Sequence, residues 1–373
     1  MLRKIFLSIS AALPVILCYA QDSTKSLTFS GSVDAYYRYN FSGKANNYTS
    51  FTNSQSSFEL GMATIKADAT ALSGKVAATA DLGFGRRAEE FNYNDGQSNF
   101  ASGYNDRAFP LDSPYTTGKN GFLTLAAVKQ LYITYAPSSK VKFTLGKFTT
   151  HVGYELLDAP SNRNYSMSYM FTNGPFFHTG LKADINAGPV AFMIGVSNFT
   201  DQSTSTTNVK TLLGQVSGGS KNGNFKVYLN YVGFFGSKAG LNPTGLKSLN
   251  QVDLVATGVV NSKFNIGFNA TIQSRNLGTT SGSWFGSALY LNFDPTSTLG
   301  ITLRSEFIGD DKLIYYGTKS IFANTLSFNC KVGPLTIIPE LRFESAQSNL
   351  YVKNNGAGTK STAAGLLAAV YKF

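Results

Sequence analysis

The stretch 27-LTFSGSVDAYYRYNF-41 decides the fold, because its residues alternate in character from one position to the next. The odd positions, from Leu27 to Phe41, are apolar or aromatic apart from one glycine. The even positions are mostly polar and include Asp34 and Arg38. Successive side chains of a β-strand point to opposite faces. The stretch therefore predicts a long strand with one face in apolar surroundings and the other in water.

The same alternation recurs along the chain, at residues 61–70, 75–82, 177–186, 264–273, 299–307 and 335–343, and more weakly at 209–218. A soluble β-sandwich also alternates, with its apolar faces packed against each other. Many of these segments, however, are longer than the five or six residues that are usual for soluble strands. The last residues continue the pattern, with Leu367, Ala369, Tyr371 and Phe373 on one face. Such a terminal strand with an aromatic last residue is typical of outer-membrane barrels.

The predicted connections fall into two classes. Short turns are expected near residues 73, 138, 188, 221, 261, 295 and 333, and longer polar loops lie between them, the largest at 87–121 and 151–173. Short turns on one side and long loops on the other are typical of outer-membrane barrels. The sequence thus predicts an all-β fold, a transmembrane antiparallel β-barrel of about 16 strands, with short periplasmic turns, long extracellular loops and a water-filled lumen.

The first twenty residues have the features of a secretory signal peptide. Arg3 and Lys4 precede an apolar run that ends at Leu17, and Ala20 offers a small residue for cleavage. The run is too short to span a bilayer as a helix. The alternative is a lipoprotein cleaved before Cys18. We therefore expect residues 1–20 to be a signal peptide and residues 21–373 to be one barrel domain, in which Cys330 is the single cysteine and forms no internal disulfide.

Composition argues against several classes of function. The chain has 32 basic and 21 acidic residues, but only 14% of its residues are charged, and the basic ones are spread along the chain. This distribution does not predict a nucleic-acid interface. The only histidines are His151 and His178, and no spacing indicates a catalytic triad, a metal site or a phosphate loop. The sequence predicts no catalysis, no metal and no cofactor.

Three segments carry a resemblance to a known family. They are QLYITYAPSSKVKFTLGKF (residues 130–148), HVGYELLDAPSNRNYSMSYMF (151–171) and GPFFHTGLKADI (174–185). Together they resemble the OmpL-like β-barrel porins, which are common in Bacteroidetes. The resemblance implies a porin in the outer membrane, without known catalytic residues, and it says little about the solute.

The loop at 151–173 holds the candidates for a constriction. Its position resembles that of the third loop of sixteen-stranded porins, which folds into the lumen. Its charged and aromatic residues include Glu155, Asp158, Arg163 and Tyr165. We expect Glu155 and Asp158 to face basic residues of the wall, because charge rings in a pore select ions and orient polar solutes. The alternative is an external loop with solvated charges.

The polar faces of the strands supply the candidates for lining the lumen, which are Arg38, Lys66, Asp68, Lys142, Lys182, Asp184, Arg304, Glu306, Glu340 and Arg342. Several stand two apart on one strand, so we expect ion pairs Lys66/Asp68, Lys182/Asp184, Arg304/Glu306 and Glu340/Arg342. Such pairs would hold side chains in place without selecting ions. The excess of basic residues still predicts a mild anion preference, or binding of lipopolysaccharide at the outer rim.

The function predicted first is a passive diffusion channel for small hydrophilic solutes in the cell outer membrane. Two alternatives stay open at this point. One is a structural or adhesive barrel with a closed lumen, and the other is a substrate-specific channel for sugars or fatty acids. The expected partners are outer-membrane lipid, lipopolysaccharide and small polar solutes, with homo-oligomerisation left open and no nucleic acid.

Overall fold

The computed structural model describes residues 25–95, 123–204, 209–234, 246–276, 278, 281–310, 312–313 and 316–373. The predicted signal peptide at 1–20 and most of the loop predicted at 87–121 lie outside these residues. Within the described ranges, no helix combines the length and the apolar character needed to cross a membrane.

Sixteen antiparallel strands close into a barrel, as the alternation predicts. Each strand pairs with its neighbours along the chain, and the last closes onto the first, with Val33 opposite Tyr371. The barrel strands are β1 (Ser26–Asn40), β2 (Ser57–Ala71), β3 (Val76–Phe84), β4 (Val128–Ser138), β5 (Val141–Thr149), β6 (Phe177–Asn186), β7 (Val190–Ser197), β8 (Thr211–Gly219), β9 (Phe225–Phe234), β10 (Ser248–Val259), β11 (Phe264–Asn276), β12 (Ser281–Phe293), β13 (Leu299–Gly309), β14 (Ser320–Val332), β15 (Leu335–Ala346) and β18 (Ser361–Lys372). A small hairpin of β16 (Tyr351–Val352) and β17 (Gly358–Thr359) lies between the last two.

The two ends of the barrel differ in their connections. One end, here called the turn end, carries the short turns at 72–75, 139–140, 187–189, 220–224, 260–263, 294–298 and 333–334. The other, the loop end, carries the connections at 41–56, 85–127, 150–176, 198–210, 235–247, 277–280, 310–319 and 347–360. The prediction of two classes is confirmed, although 277–280 is as short as a turn. Gly188 and Gly333 have positive φ, which lets the chain reverse within a few residues.

The faces of the strands follow the predicted parity. In β1, every second residue from Ser32 to Asn40 is buried and faces inward, whereas outward residues such as Phe29 are exposed. These outward apolar side chains are where hydrocarbon surrounds the protein. One position departs from the prediction. A bulge between Asp34 and Ala35 shifts the register of β2, so that Gly61, expected on the outer face, lies against Asp34 and the Tyr165 hydroxyl.

The apolar core lies inside the barrel. It is formed by the short helix α1 (Arg86–Phe91) and by the connection at 150–176, here called the inner loop, which contains a second short helix, α2 (Tyr169–Asn173). Tyr165 of the inner loop packs with Leu366 and Val370, whose side chains face inward from β18. The inward face of β18 is therefore apolar where a water-filled lumen would favour polar residues, because the inner loop covers it.

Candidate functional site

The inner loop leaves β5 at the loop end and runs into the barrel. The amide of Gly153 donates to the carboxylate of Asp253 on β10, with an N–O distance of 3.0 Å. The amide of Tyr154 donates to the side-chain oxygen of Asn269 on β11 at 3.3 Å. The ring of Tyr154 stacks on that of Tyr290 on β12, with centroids 4.0 Å apart. The loop therefore crosses the interior over three successive strands.

A chain of buried ion pairs ties the inner loop to β13 and β15. Arg304, which is fully buried, places Nη1 2.5 Å from Oε1 of Glu155 and Nε 3.2 Å from Oε1 of Glu306. Arg342 then lies 2.9 Å from Glu306 and 2.5 Å from Glu344. Arg304 also donates to the carbonyl oxygen of Ser166 at 2.7 Å. Each buried charge thus has a partner, which burial requires.

Carboxylates also hold the backbone of the inner loop. Glu340 on β15 accepts hydrogen bonds from the amides of Tyr165 at 2.8 Å and Ser166 at 3.2 Å. Glu306 accepts from the amide of Tyr169 at 2.8 Å. These are hydrogen bonds to ionised groups, roughly twice as strong as neutral ones. They fix the backbone of the loop against the wall. We call the inward faces of β13, β14, β15 and β18 the packed wall.

Tyr165 and Asp158 join the inner loop to β1 and β4, which lie beyond β18, the strand that closes the barrel onto β1. The Tyr165 hydroxyl donates to Asp34 on β1. The guanidinium of Arg87 on α1 lies 4.8 Å above the Tyr165 ring and donates to its carbonyl oxygen. Asp158 lies 2.6 Å from Nζ of Lys129, which also pairs with Asp81 at 3.2 Å. Neither Arg87 nor Lys129 stands in a distinctive sequence pattern, so neither is predicted as a site residue.

Arg163 marks the deepest point of the inner loop. Its Nη1 and Nη2 donate to the two carboxylate oxygens of Asp294 at 2.9 and 2.5 Å. Asp294 stands in the short turn between β12 and β13, so the loop reaches the turn end along this side. The hydrogen bonds from Arg163 hold the pKa of Asp294 below its ordinary value. From the sequence, Asp294 is expected only to form part of a turn before Pro295.

The predicted lumen residues divide into two sets. Arg38, Arg304, Glu306, Glu340 and Arg342 are buried. Arg38 donates to the carbonyl oxygens of Ser54 and Asn46 and so holds the loop at 41–56. The other set stays partly exposed and consists of Lys66, Asp68, Lys142, Lys182 and Asp184. This second set faces inward in the turn-end half of β2–β9, which we call the open wall.

Three of the four predicted i, i+2 ion pairs form. Lys66 lies 2.9 Å from Asp68 and Lys182 lies 3.1 Å from Asp184, and the third pair is Arg304 with Glu306. The prediction of a Glu340/Arg342 pair is wrong. Glu340 turns to the amides of the inner loop. Arg342 turns to Glu306 and Glu344.

Positive charge exceeds negative charge on the open wall. Asp184 is shared between Lys182 at 3.1 Å and Lys142 at 3.4 Å. The Lys142 side chain is 52% exposed. Lys226, on the inward face of β9, is also exposed. One carboxylate shared by two ammonium groups leaves the surface net positive.

The two histidines lie together inside the barrel, with ring centroids 5.6 Å apart. Nε2 of His151 bonds to the carbonyl oxygens of Gly214 and Tyr231, both at 3.1 Å. Nε2 of His178 lies 3.2 Å from Oγ1 of Thr150. Among the residues that the structure describes, no three His, Cys, Asp or Glu side chains are grouped as metal ligands.

The barrel is similar to several solved outer-membrane structures. The channel DcaP of Acinetobacter baumannii superposes with a TM-score of 0.60 at 12% identity, covering 95% of this chain and 99% of that one. The anion-selective porin from Comamonas acidovorans gives 0.61 at 13%, covering 94% and 100%. The trimer form of OmpT from Vibrio cholerae gives 0.56 at 11%, also covering 94% and 100%. At these identities the likeness shows the fold alone.

No curated protein matches the chain by sequence. The family described as Putative beta-barrel porin-2, OmpL-like matches residues 26–373, which is nearly the whole chain. The match extends over every strand of the barrel and over the inner loop. The chain therefore belongs to this family of outer-membrane β-barrel porins.

Proposed function

We propose that solutes cross this passive porin along the open wall, and that the inner loop sets the constriction. One observation carries the proposal. The inner loop packs against the packed wall, whereas the side chains of Lys142, Lys182 and Asp184 stay partly exposed. A path on that side would be lined by charged groups in water, which suits small hydrophilic solutes.

In this proposal, the loop candidates act by holding the constriction in place. Glu155 and Asp158 face basic residues, Arg304 and Lys129, at 2.5 and 2.6 Å. Each of these bases also pairs with a carboxylate of the wall, Glu306 or Asp81, so the pairs tie the loop to the barrel. Arg163 and Tyr165 anchor the loop at Asp294 and Asp34. The field along the path would come from the lysines of the open wall.

The mild anion preference is part of the same proposal. Exposed lysines in a narrow polar passage raise the local concentration of anions. Since Lys142 and Lys182 share one carboxylate, the passage keeps a positive surplus at neutral pH. A reversal potential measured across a salt gradient tests this point. Cation selectivity would contradict it.

Deleting residues 158–165 tests the constriction. The deletion removes Arg163 and Tyr165 together, so the loop loses its contacts with Asp294 and Asp34. We expect single-channel conductance in planar bilayers to rise. A deletion of equal length at residues 353–360, which are mostly exposed and leave the buried Tyr351 in place, is the matched control. Unchanged conductance in the inner-loop deletion would reject the constriction.

The alternatives give different results in the same bilayer. A structural or adhesive barrel with a closed lumen would give no ion current, and a sugar or fatty-acid channel would show saturable transport. We also propose that the protein has no catalytic role. In support, Nε2 of His151 is bound to the backbone carbonyls of Gly214 and Tyr231, and the nearest side-chain partner of His178 is a threonine.

The outer surface supports two proposals about partners. At the loop end, exposed lysines on neighbouring loops could bind the phosphates of lipopolysaccharide, namely Lys44, Lys312, Lys319, Lys353 and Lys360. On the outer faces of β2 and β3, apolar side chains form a strip that could pack against a second copy, namely Ala63, Ile65, Ala67, Ala69, Ala78, Ala80 and Leu82. Light scattering of the purified protein in detergent, with and without added lipopolysaccharide, tests both.

A further inference from the structure

A cavity of about 210 Å³ lies inside the barrel between the inner loop and β8–β10. The inner loop and α1 contribute the apolar side chains of Leu156, Phe171 and Phe91 to its lining, next to the polar side chains of His151 and Glu155. Leu156 is 50% exposed although it lies within the barrel. An exposed apolar surface is not expected in a passage that admits only hydrophilic solutes, because exposed apolar area costs free energy in water.

The opposite side of this cavity is polar. Gln215 on β8 and Asn230 on β9 face it, and the Gln215 Nε2 group donates to the side-chain oxygen of Asn230 at 2.8 Å. Tyr228, the next inward residue of β9 toward the turn end, also lines the cavity. Lys226 is the inward residue after Tyr228 in the same direction. Polar groups therefore face an apolar surface across a narrow space, on the open side of the barrel.

The size of the cavity limits the occupant. A cavity of about 150 Å³ lined by apolar side chains binds benzene, so 210 Å³ accommodates an aromatic ring with a substituent. Small-molecule sites commonly combine an apolar lining with a few polar groups that fix orientation. Phe91, Phe171 and Phe176 offer aromatic partners, with the Phe171 and Phe176 rings stacked at 5.4 Å.

We infer that this cavity is a binding site for solutes that join one apolar ring to a hydroxylated or amide-bearing polar part. The ring would lie against Leu156 and Phe171, and the polar part would hydrogen-bond to Gln215, Tyr228 and Asn230. The inference rests on the proposed path along the open wall. It makes the porin selective by affinity for such solutes, beyond a sieve for size and charge.

Block of ion current by a matched pair of neutral solutes tests the inference. Phenyl β-D-glucopyranoside and methyl β-D-glucopyranoside carry the same sugar and differ only in the apolar group. In planar bilayers containing the refolded wild-type protein, we expect the phenyl glycoside to reduce the current saturably. The methyl glycoside should have no such effect at equal concentration.

Leu156→Asn removes the exposed apolar side chain from the cavity. We expect it to raise the concentration of phenyl glycoside needed for half-maximal block by about fivefold, because a partly buried leucine contributes about that factor to binding. Leu313→Asn is the matched control, since Leu313 is 49% exposed and does not line the cavity. Current without block, equal block by both glycosides, or unchanged block in Leu156→Asn would overturn the inference and leave the channel proposal intact. Absence of ion current in the wild type would instead overturn the channel proposal, and this inference with it.

Discussion

The packed wall and the open wall both carry ion pairs between residues two apart on one strand, but in different surroundings. On the packed wall, Arg304 and Glu306 are two residues apart and 3.2 Å from each other, with both side chains almost completely buried. On the open wall, Lys182 and Asp184 are also two apart and at 3.1 Å, but the side chains are 22% and 31% exposed. The buried pair can anchor the inner loop. The partly exposed pair contributes little to the free energy of folding, because ion pairs in water are weak.

This difference shows why the buried network can hold the inner loop. Removing charges from water costs free energy, which pairing with opposite charges offsets. Arg304 is paired with Glu155 and Glu306 and donates to the Ser166 carbonyl oxygen, and both Glu155 and Ser166 belong to the inner loop. The loop therefore completes the wall. On the open wall, water can hydrogen-bond to the charged groups, so their pairing contributes little to the stability of the fold.

The largest expected effect comes from breaking the packed wall at Arg304. Arg304→Ala leaves Glu155 and Glu306 without their shared partner, and we expect the free energy of unfolding to fall by about 3–5 kcal/mol. The inner loop should loosen, and single-channel conductance should rise or become noisy. Denaturant titration in detergent and bilayer recording measure the two effects.

Lys182→Ala is the control for Arg304→Ala on the open wall. Its ion pair with Asp184 is partly exposed, so the loss should stay within about 1 kcal/mol. Equal losses of stability in the two variants would remove the distinction between the walls.

Tyr165→Phe should have the next largest effect. The substitution removes the hydroxyl that donates to Asp34, a residue that is 3% exposed. Loss of a hydrogen bond to a buried charged group costs about 1.5–3 kcal/mol. The free energy of unfolding in detergent measures this loss. Tyr135→Phe, at an outward tyrosine on β4, is the control and should change stability little; a comparable loss there would show that Tyr165 is no special anchor.

The sequence predicted the barrel but could not separate the two walls. Alternation in residues 27–41 gives the inward parity of Asp34 and Arg38, and parity depends only on neighbours along the chain. Whether an inward residue meets water depends on where the inner loop lies, which is set by contacts between residues far apart in sequence. Arg304 and Lys182 occupy equivalent positions in the alternation, each two residues before an acidic residue. Only Arg304 of the two contacts Glu155. The inward face of β18 is apolar in the sequence itself. This feature alone predicts that another part of the chain covers the wall there.

The open wall should respond in selectivity and not in stability. Lys142→Glu together with Lys182→Glu reverses the sign of the charges around Asp184. We expect the anion preference to fall or invert, with the permeability ratio changing a few-fold, because each group lies in or near solvent where charges are screened. Reversal potentials in a salt gradient measure the ratio. The same double substitution should leave the denaturation midpoint nearly unchanged, and a large drop would place these lysines in the packed set.

The smallest effect is expected at the turn-end edge of the packed wall, at Arg163 and Asp294, whose side chains are 32% and 26% exposed. Arg163 lowers the pKa of Asp294 in the folded protein. The pair therefore stabilises the fold above the unfolded pKa of about 3.9, and this contribution disappears as pH falls through the lower, folded-state pKa. We expect Asp294→Asn to cost less than about 1 kcal/mol at pH 7. Its difference from the wild type should shrink as the pH is lowered below about 3.9. Unfolding titrations of both proteins at pH 7 and over a series of acidic pH values measure the change. A difference independent of pH would mean that Asp294 acts through its shape in the turn, and that the anchoring of the inner loop ends before it reaches the turn end.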